Sequence, residues 1–212
     1  EMRFRAVSEN SAVGIYMVQD GVFSYMNSAL ADMFGYRSEE LIGVDPLLLI
    51  HPDDHPVVLR NMQVRLIGQE VSQQYEVRGR CRNGETRYVV IYGSRLMMHG
   101  RPVLLGNITD ITERKVAEFA LRKSESQYRS LFENMVNGIM VVELVFDESG
   151  SPIGHRFVHG NAAFEKLTGL KVRDEIGKCD TEMSIKWPPE VLQRLYKVAT
   201  EGEPIQYERF NE

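Results

Sequence analysis

A chain of 212 residues, 43% hydrophobic and 26% charged, is ordinary globular material, long enough for two domains of about a hundred residues each, and this excludes disordered and fibrous classes. The net charge of −5, with Arg and Lys scattered among acids, lacks the clustered basic face that a nucleic-acid partner requires. No apolar run approaches the roughly 18 residues of a membrane span, and Cys81 and Cys179 lie too far apart for a CxxC site or a disulfide framework. No direct membrane contact is expected, and a cytoplasmic location is.

In chain order, a short helical turn is expected over 4–10, then two strands over 14–19 and 22–26 joined by Asp20-Gly21, a hairpin dipeptide. Asn27 is placed to cap a helix that Gly35 ends, and Ser38-Glu39-Glu40 opens a further turn stopped by Gly43. After His51-Pro52-Asp53-Asp54, the residues Val57, Val58, Met62, Leu66 and Ile67 recur at helical spacing up to Gly68. The period then changes to two. Strands are expected over 74–82, 86–96 and 103–109, turning at Asn83-Gly84 and His99-Gly100. Two strands, short helices, one longer helix and a three-stranded meander make an α+β domain built on one antiparallel sheet.

From Asp110-Ile111-Thr112-Glu113 to Glu133 no Gly or Pro interrupts the chain. Asp110 and Glu113 have the spacing of a capping box, and Glu118/Arg122 and Glu125/Arg129 have that of i,i+4 ion pairs. Ala117, Leu121, Ser124, Tyr128, Leu131 and Met135 fall at alternating steps of four and three, the spacing of a coiled-coil seam. A helix lying against a sheet is the alternative. Either way the connector is expected to be stiff.

Beyond it the chain repeats itself. Phe4-Arg5-Ala6-Val7-Ser8-Glu9-Asn10 and Gly14-Ile15 return as Tyr128-Arg129-Ser130-Leu131-Phe132-Glu133-Asn134 and Gly138-Ile139, and Asn27 and Gly35 return as Asn161 and Gly169. The alignment slips by ten residues between Val142 and Asn161, where Asp147 to Pro152 reads as a turn. A repeat of this length is a duplicated domain. The second copy has the strand pair, a capped helix over 161–168 and a longer helix over 189–201 stopped by Gly202. It can supply one further strand over 205–210, and two strands of the first copy have no counterpart. Glu1 also stands in mid-pattern, so a longer parent chain is expected at both ends.

Both halves resemble PAS domains, the sensor modules of bacterial signalling proteins. The likeness rests on residues 4–10, Asn27 with Phe34-Gly35-Tyr36, Glu40-Leu41-Ile42-Gly43, His51-Pro52-Asp53-Asp54, Tyr88, Gly106 and the run Asp110-Ile111-Thr112-Glu113-Arg114-Lys115. In the second copy it rests on 128–134, on Asn161-x-Ala163-Phe164-x-x-Leu167-Thr168-Gly169 and on Ile176-Gly177. The resemblance implies two domains, 1–112 and an incomplete 128–212, each a five-stranded antiparallel sheet with helices on one face, joined by a helical linker over 113–127.

PAS-like flavin photoreceptors carry Asn-Cys-Arg-Phe before the long helix, where this chain reads Asp45 to Ile50 without a thiol. Their last-strand glutamine would align near Ile108. Haem-binding relatives use a histidine within the long helix, and here only His55 is near, at its start. His51 and His55 read as capping or surface groups, and His155 and His159 lack a third ligand. No metal and no cofactor is therefore expected, although an unidentified small molecule remains open. No GxSxG, HExxH or P-loop pattern is present, so no catalytic residue is assigned.

What remains is an apolar cradle, with Val58, Met62, Val89, Ile91, Leu104 and Ile108 as candidate pocket residues and Tyr75 and Asn107 as polar candidates; each equally fits plain core. Tyr88, Asp110, Thr112 and Glu113 are the candidate relay residues. Three functions stay open. The first is a non-catalytic sensory and relay region acting on a covalently linked output domain; the second is a ligand-free dimerisation module forming a homodimer; the third is a haem or flavin sensor.

Overall fold

The computed structural model describes residues 8, 11, 13–69, 74–150, 152–184, 188–202 and 204. The expected turn over 4–10 and strand over 205–210 lie outside them, Ser8 apart. The chain folds as two compact units, Glu1–Leu121 and Arg122–Glu212.

The first unit is built on a five-stranded antiparallel sheet of order β2-β1-β5-β4-β3. Its strands are β1 (Gly14–Gln19), β2 (Val22–Met26), β3 (Gln74–Arg80), β4 (Thr86–Met98) and β5 (Arg101–Asp110). Asp20 and Gly21 both have positive φ (52° and 84°), as do His99 and Gly100 (50° and 76°). This two-residue geometry follows the strand twist, so β4 and β5 pair right up to their turn, two residues farther at each end than the sequence predicts. β3 instead stops at Arg80. There Cys81 N donates to Glu85 O and Glu85 N to the Asn83 side chain, closing a five-residue turn over 81–85.

Helices cover one face. They are α1 (Ser28–Phe34), capped by Asn27 and ended by Gly35 in the left-handed conformation, α2 (Ser38–Leu41), 3-10 turns Pro46–Leu49 and Pro52–Asp54, and α3 (His55–Leu66). Leu30, Phe34, Leu41, Leu49 and Val58 pack from the helices onto Val77, Val89, Ile91, Leu104 and Ile108 of the sheet. Helical spacing places Val58, Met62 and Leu66 of α3 correctly against the core and errs at the flanks of that stripe. Val57 and Ile67 are exposed, whereas Arg65 is buried on the core side.

A single helix, α4 (Thr112–Asn134), follows β5. The Asp110–Glu113 capping box does not form. Asp110 is still in the strand, and its carboxylate accepts from Thr112 N, leaving Glu113 exposed at the positive end of the helix dipole. The pairs Glu118/Arg122 and Glu125/Arg129 do not form either, and Glu118 turns back to Arg114 and Lys115. Ala117, Leu121, Ser124, Tyr128, Leu131 and Met135 are all exposed.

In the second unit β6 (Met140–Phe146) and β7 (Pro152–Gly160) form a two-stranded antiparallel sheet, followed by α5 (Ala162–Thr168), α6 (Val172–Glu175) and α7 (Pro189–Glu201). The extra residues of the second copy lengthen this hairpin. Phe157, Phe164, Val172 and Met183 form its small core, with Met140 and Leu170 against them. Among the described residues, no helix is long and apolar enough to cross a membrane.

Candidate functional site

The sheet and α3 of the first domain enclose a cleft of about 30 Å³, room for a water molecule or two. Val58, Met62, Tyr75, Ile91, Leu104 and Ile108 line it, together with Tyr16, Arg65 and Gly93 among others. Val89 is buried but lies outside the lining, opposite Val77 and one inward position beyond Ile91. Asn107 is not there either. Side chains alternate along β5, so Asn107, paired with Ile15 and Tyr92, faces the other side of the sheet from Leu104 and Ile108.

Sequence reasoning missed Tyr16 and Arg65. Arg65 stacks over the Tyr75 ring at 5.3 Å from its centroid. Burial pushes the Tyr75 hydroxyl pKa up, against a hydrogen bond from Arg65 that lowers it. Burial likewise raises the Tyr16 hydroxyl well above its ordinary range, with the Arg65 charge opposing. One signal was available: Gly93 and Gly106, both inside strands, mark points of close approach.

At the far end of the same sheet, three of the four candidate relay residues meet. Tyr88 N donates to Thr112 Oγ1 at 3.0 Å, Thr112 Oγ1 and N donate to Asp110 Oδ1, and Ile111 N donates to Tyr88 O at 2.8 Å. Arg87, which the sequence did not single out, donates to Asp110 Oδ2. Asp110 pairs with Val89, so Arg87 is its diagonal neighbour on the same face. Burial disfavours the Asp110 carboxylate, but the Thr112 and Arg87 hydrogen bonds outweigh that and hold its pKa below the usual range. On the opposite face, Phe119 of α4 packs edge-on to Tyr88 with centroids 5.8 Å apart, and Arg114 and Lys115 pair with Glu76 at 2.7 and 2.6 Å. Glu113 takes no part.

His51 Nδ1 accepts from Asp53 N, and His55 Nε2 bonds Ile50 O. His155 is fully buried, while His159 packs on Phe132 at 5.0 Å, a strand bulge having turned it away. Among the described residues, no three His, Cys, Asp or Glu side chains converge as a metal site requires, and both cysteines are free thiols.

A family model described as "PAS fold" matches residues 2–111, and one described as "PAS domain" matches 126–200. This chain belongs to the PAS family. Its relatives include sporulation kinase A of Bacillus subtilis (strain 168), 25% identical over 213 residues, covering 98% of this chain and 33% of the kinase. The methyl sulfide methyltransferase-associated sensor of Methanosarcina acetivorans is 29% identical over 62% of this chain and 13% of its own length. The C4-dicarboxylate transport sensor protein DctS of Rhodobacter capsulatus is 29% identical over 61% of this chain and 21% of its own. The chain thus spans a third or less of these relatives. A crystal structure of a sensory box histidine kinase/response regulator from Burkholderia thailandensis E264 is 30% identical, covers 61% of this chain and 99% of that one, and has a TM-score of 0.48. The two PAS domains are sensory signalling modules, the first on a five-stranded sheet and the second on two strands among the described residues.

Proposed function

We propose that the tandem PAS domains are the non-catalytic sensory and relay region of a bacterial signal-transduction protein, acting on an output domain that follows them. A ligand or partner that favours one arrangement of the first sheet shifts β5, whose last residue holds the start of α4. That helix carries the change onward. The observation behind this reading is the continuous hydrogen-bonded link from Tyr88 and Arg87 through Asp110 to Thr112, which joins the sheet to the first turn of the helix.

The energetic demand on the signal is definite. Moving a population from about 1:99 to 99:1 takes roughly 5.5 kcal/mol of differential affinity between the two states. The decisive test is Asp110→Ala in the parent protein. Stimulus control of the output should be lost while the first domain keeps its far-UV dichroism, and regulation that survives unchanged overturns the relay.

The exposed seam of α4 favours a second reading, a ligand-free dimerisation module forming a homodimer held along that helix. Leu121 is 63% and Leu131 67% exposed, a poor arrangement for an isolated helix. Sedimentation of the 212-residue chain beside Leu121→Asp tests it: a wild-type dimer that dissociates in the variant supports it, and a monomer at high concentration removes it. Neither reading calls for flavin or haem, and colour in freshly purified protein would displace both in favour of a cofactor-based sensor.

A further inference from the structure

The two copies control for each other beside their first hairpins. In the first domain Gly43 N donates to Phe23 O, and Phe23 N donates to Val44 O. The second domain repeats both bonds, Gly177 N to Phe157 O at 2.8 Å and Phe157 N to Lys178 O at 3.0 Å, and adds Asp180 N to His155 O at 2.9 Å. The added bond is possible because β6 and β7 run on past the point where the first hairpin turns. Counted back from Asn27 and Asn161, the position of His155 is that of Gly21, an exposed turn residue with positive φ.

Lengthening the hairpin has thus turned an open position into a fully buried one, and the residue placed there is an imidazole. Among the described residues neither of its ring nitrogens has a hydrogen-bond partner. An orphaned buried polar group costs free energy that a Leu of similar size would not, which makes this histidine a feature to be explained. Arg156 and Cys179 are bridge partners, so His155 and Asp180 stand directly opposite each other on one face.

The charged surroundings are simple. On β6, Leu144 lies opposite His155, while Glu143 and Arg156 are exposed on the other face. Glu175 of α6 is engaged by Ser184 and Lys178, and burial and the Asp180 charge keep the Tyr196 hydroxyl of α7 neutral. Burial disfavours the imidazolium, and the Asp180 carboxylate opposes that without overcoming it.

We propose that His155 and the segment 177–184 form a proton-operated clasp, through which the second PAS domain senses mild acid. Above 6.5 the imidazole is neutral and the segment stays on β7. As the pH falls toward the folded-state value, a charge arises in a small apolar core, and the edge held by three backbone bonds yields before the longer β6–β7 ladder. The first domain has Gly21 at this position and is indifferent to the same change. This rests on the sensory reading above and deepens it by naming the proton as a signal.

The test is an NMR titration of the 212-residue chain from about pH 7.5 to about pH 5, following the His155 ring protons and amide exchange corrected for the intrinsic effect of pH. His155 should titrate below 6.5, and the Phe157, Gly177 and Asp180 amides should exchange at least about tenfold faster over the same range, ahead of the β6–β7 ladder. In His155→Leu these amides should stay protected. Amides that hold while His155 titrates, or that loosen equally in His155→Leu, overturn the proposal. If His155→Leu fails to fold, Asp180→Asn decides: losing the carboxylate should move the response to lower pH, and an unmoved response overturns the clasp. A clasp that ignores pH beside an Asp110→Ala that still uncouples the output removes the proton site alone, whereas a responding clasp with unaltered regulation in Asp110→Ala removes the relay alone.

Discussion

Asn27 and Asn161 make the same four hydrogen bonds, one in each PAS domain. Asn27 Oδ1 accepts from Ile15 N and Leu30 N, and its Nδ2 donates to Ser8 O and Val13 O. Asn161 Oδ1 accepts from Ile139 N and Phe164 N, and its Nδ2 donates to Phe132 O and Asn137 O. Both side chains are fully buried, and each ties a helix start, a strand start and the segment leading into that strand into one knot.

Removing either amide orphans two buried carbonyls and two N–H groups. Asn27→Ala or Asn161→Ala should therefore cost about 3 kcal/mol in the domain that carries it. Urea unfolding followed by hydrogen exchange of each domain's own peptides measures this; a loss below about 1 kcal/mol would mean that water replaces the amide.

Gly106→Ala is expected to be among the most damaging single-methyl changes in the first domain. The added carbon would lie 2.3 Å from Tyr92 O as well as against Tyr16. Backbone cannot yield as a side-chain tip can, so a loss of at least about 2 kcal/mol is expected. Gly93→Ala meets only the Arg65 guanidinium at 3.2 Å and should cost less. Thermal melts of the two variants should differ in that order.

Asp110→Asn keeps the size of the side chain and removes the charge that Arg87 and Thr112 recognise. The first turns of α4 should then exchange amide hydrogens about tenfold faster or more, with the sheet protected as before. If exchange over 112–121 is unchanged, the Glu76 pairs and the Tyr88–Phe119 contact hold the helix start by themselves.

His155 should make the second domain sensitive to mild acid. It is fully buried, neither ring nitrogen is hydrogen-bonded among the described residues, and burial lowers its pKa, with the Asp180 carboxylate opposing. The unfolded chain, with an ordinary value of 6.5, then binds a proton that the folded domain refuses. Stability is full above that value and declines as pH falls toward the folded-state value. Protection of β6 and β7 at about pH 5.5 against about pH 7.5 reads this, and His155→Leu should flatten the difference. An unflattened profile would assign the titration to another group.

How far the fold was legible follows from the reach of each signal. β1 and β2 run over the residues the Asp20-Gly21 hairpin predicts, and the caps at Asn27, Asn161, Gly35, Gly169 and Gly202 stand where local chemistry puts them. Those signals lie within a few residues of the structure they govern. Helical spacing on α3 found Val58, Met62 and Leu66 but also took Val57 and Ile67 for buried positions and gave Arg65 no role. Periodicity ranks residues by hydropathy, while burial depends on where the sheet stands.

By itself, then, the sequence determined the duplication, the antiparallel α+β architecture, the caps and turns and the PAS membership, all carried by contacts near in the chain or by motifs that survive as strings. Only the tertiary structure decided that Asn107 faces away from the cradle, that Arg87 grips Asp110, and that Arg65 and Tyr16 sit above a paired Gly93 and Gly106. Those relations depend on strand register, which is set by the packing of residues distant in the chain. A shift of one residue would turn Tyr16, Arg87, Asn107 and Asp110 to the other face of the sheet.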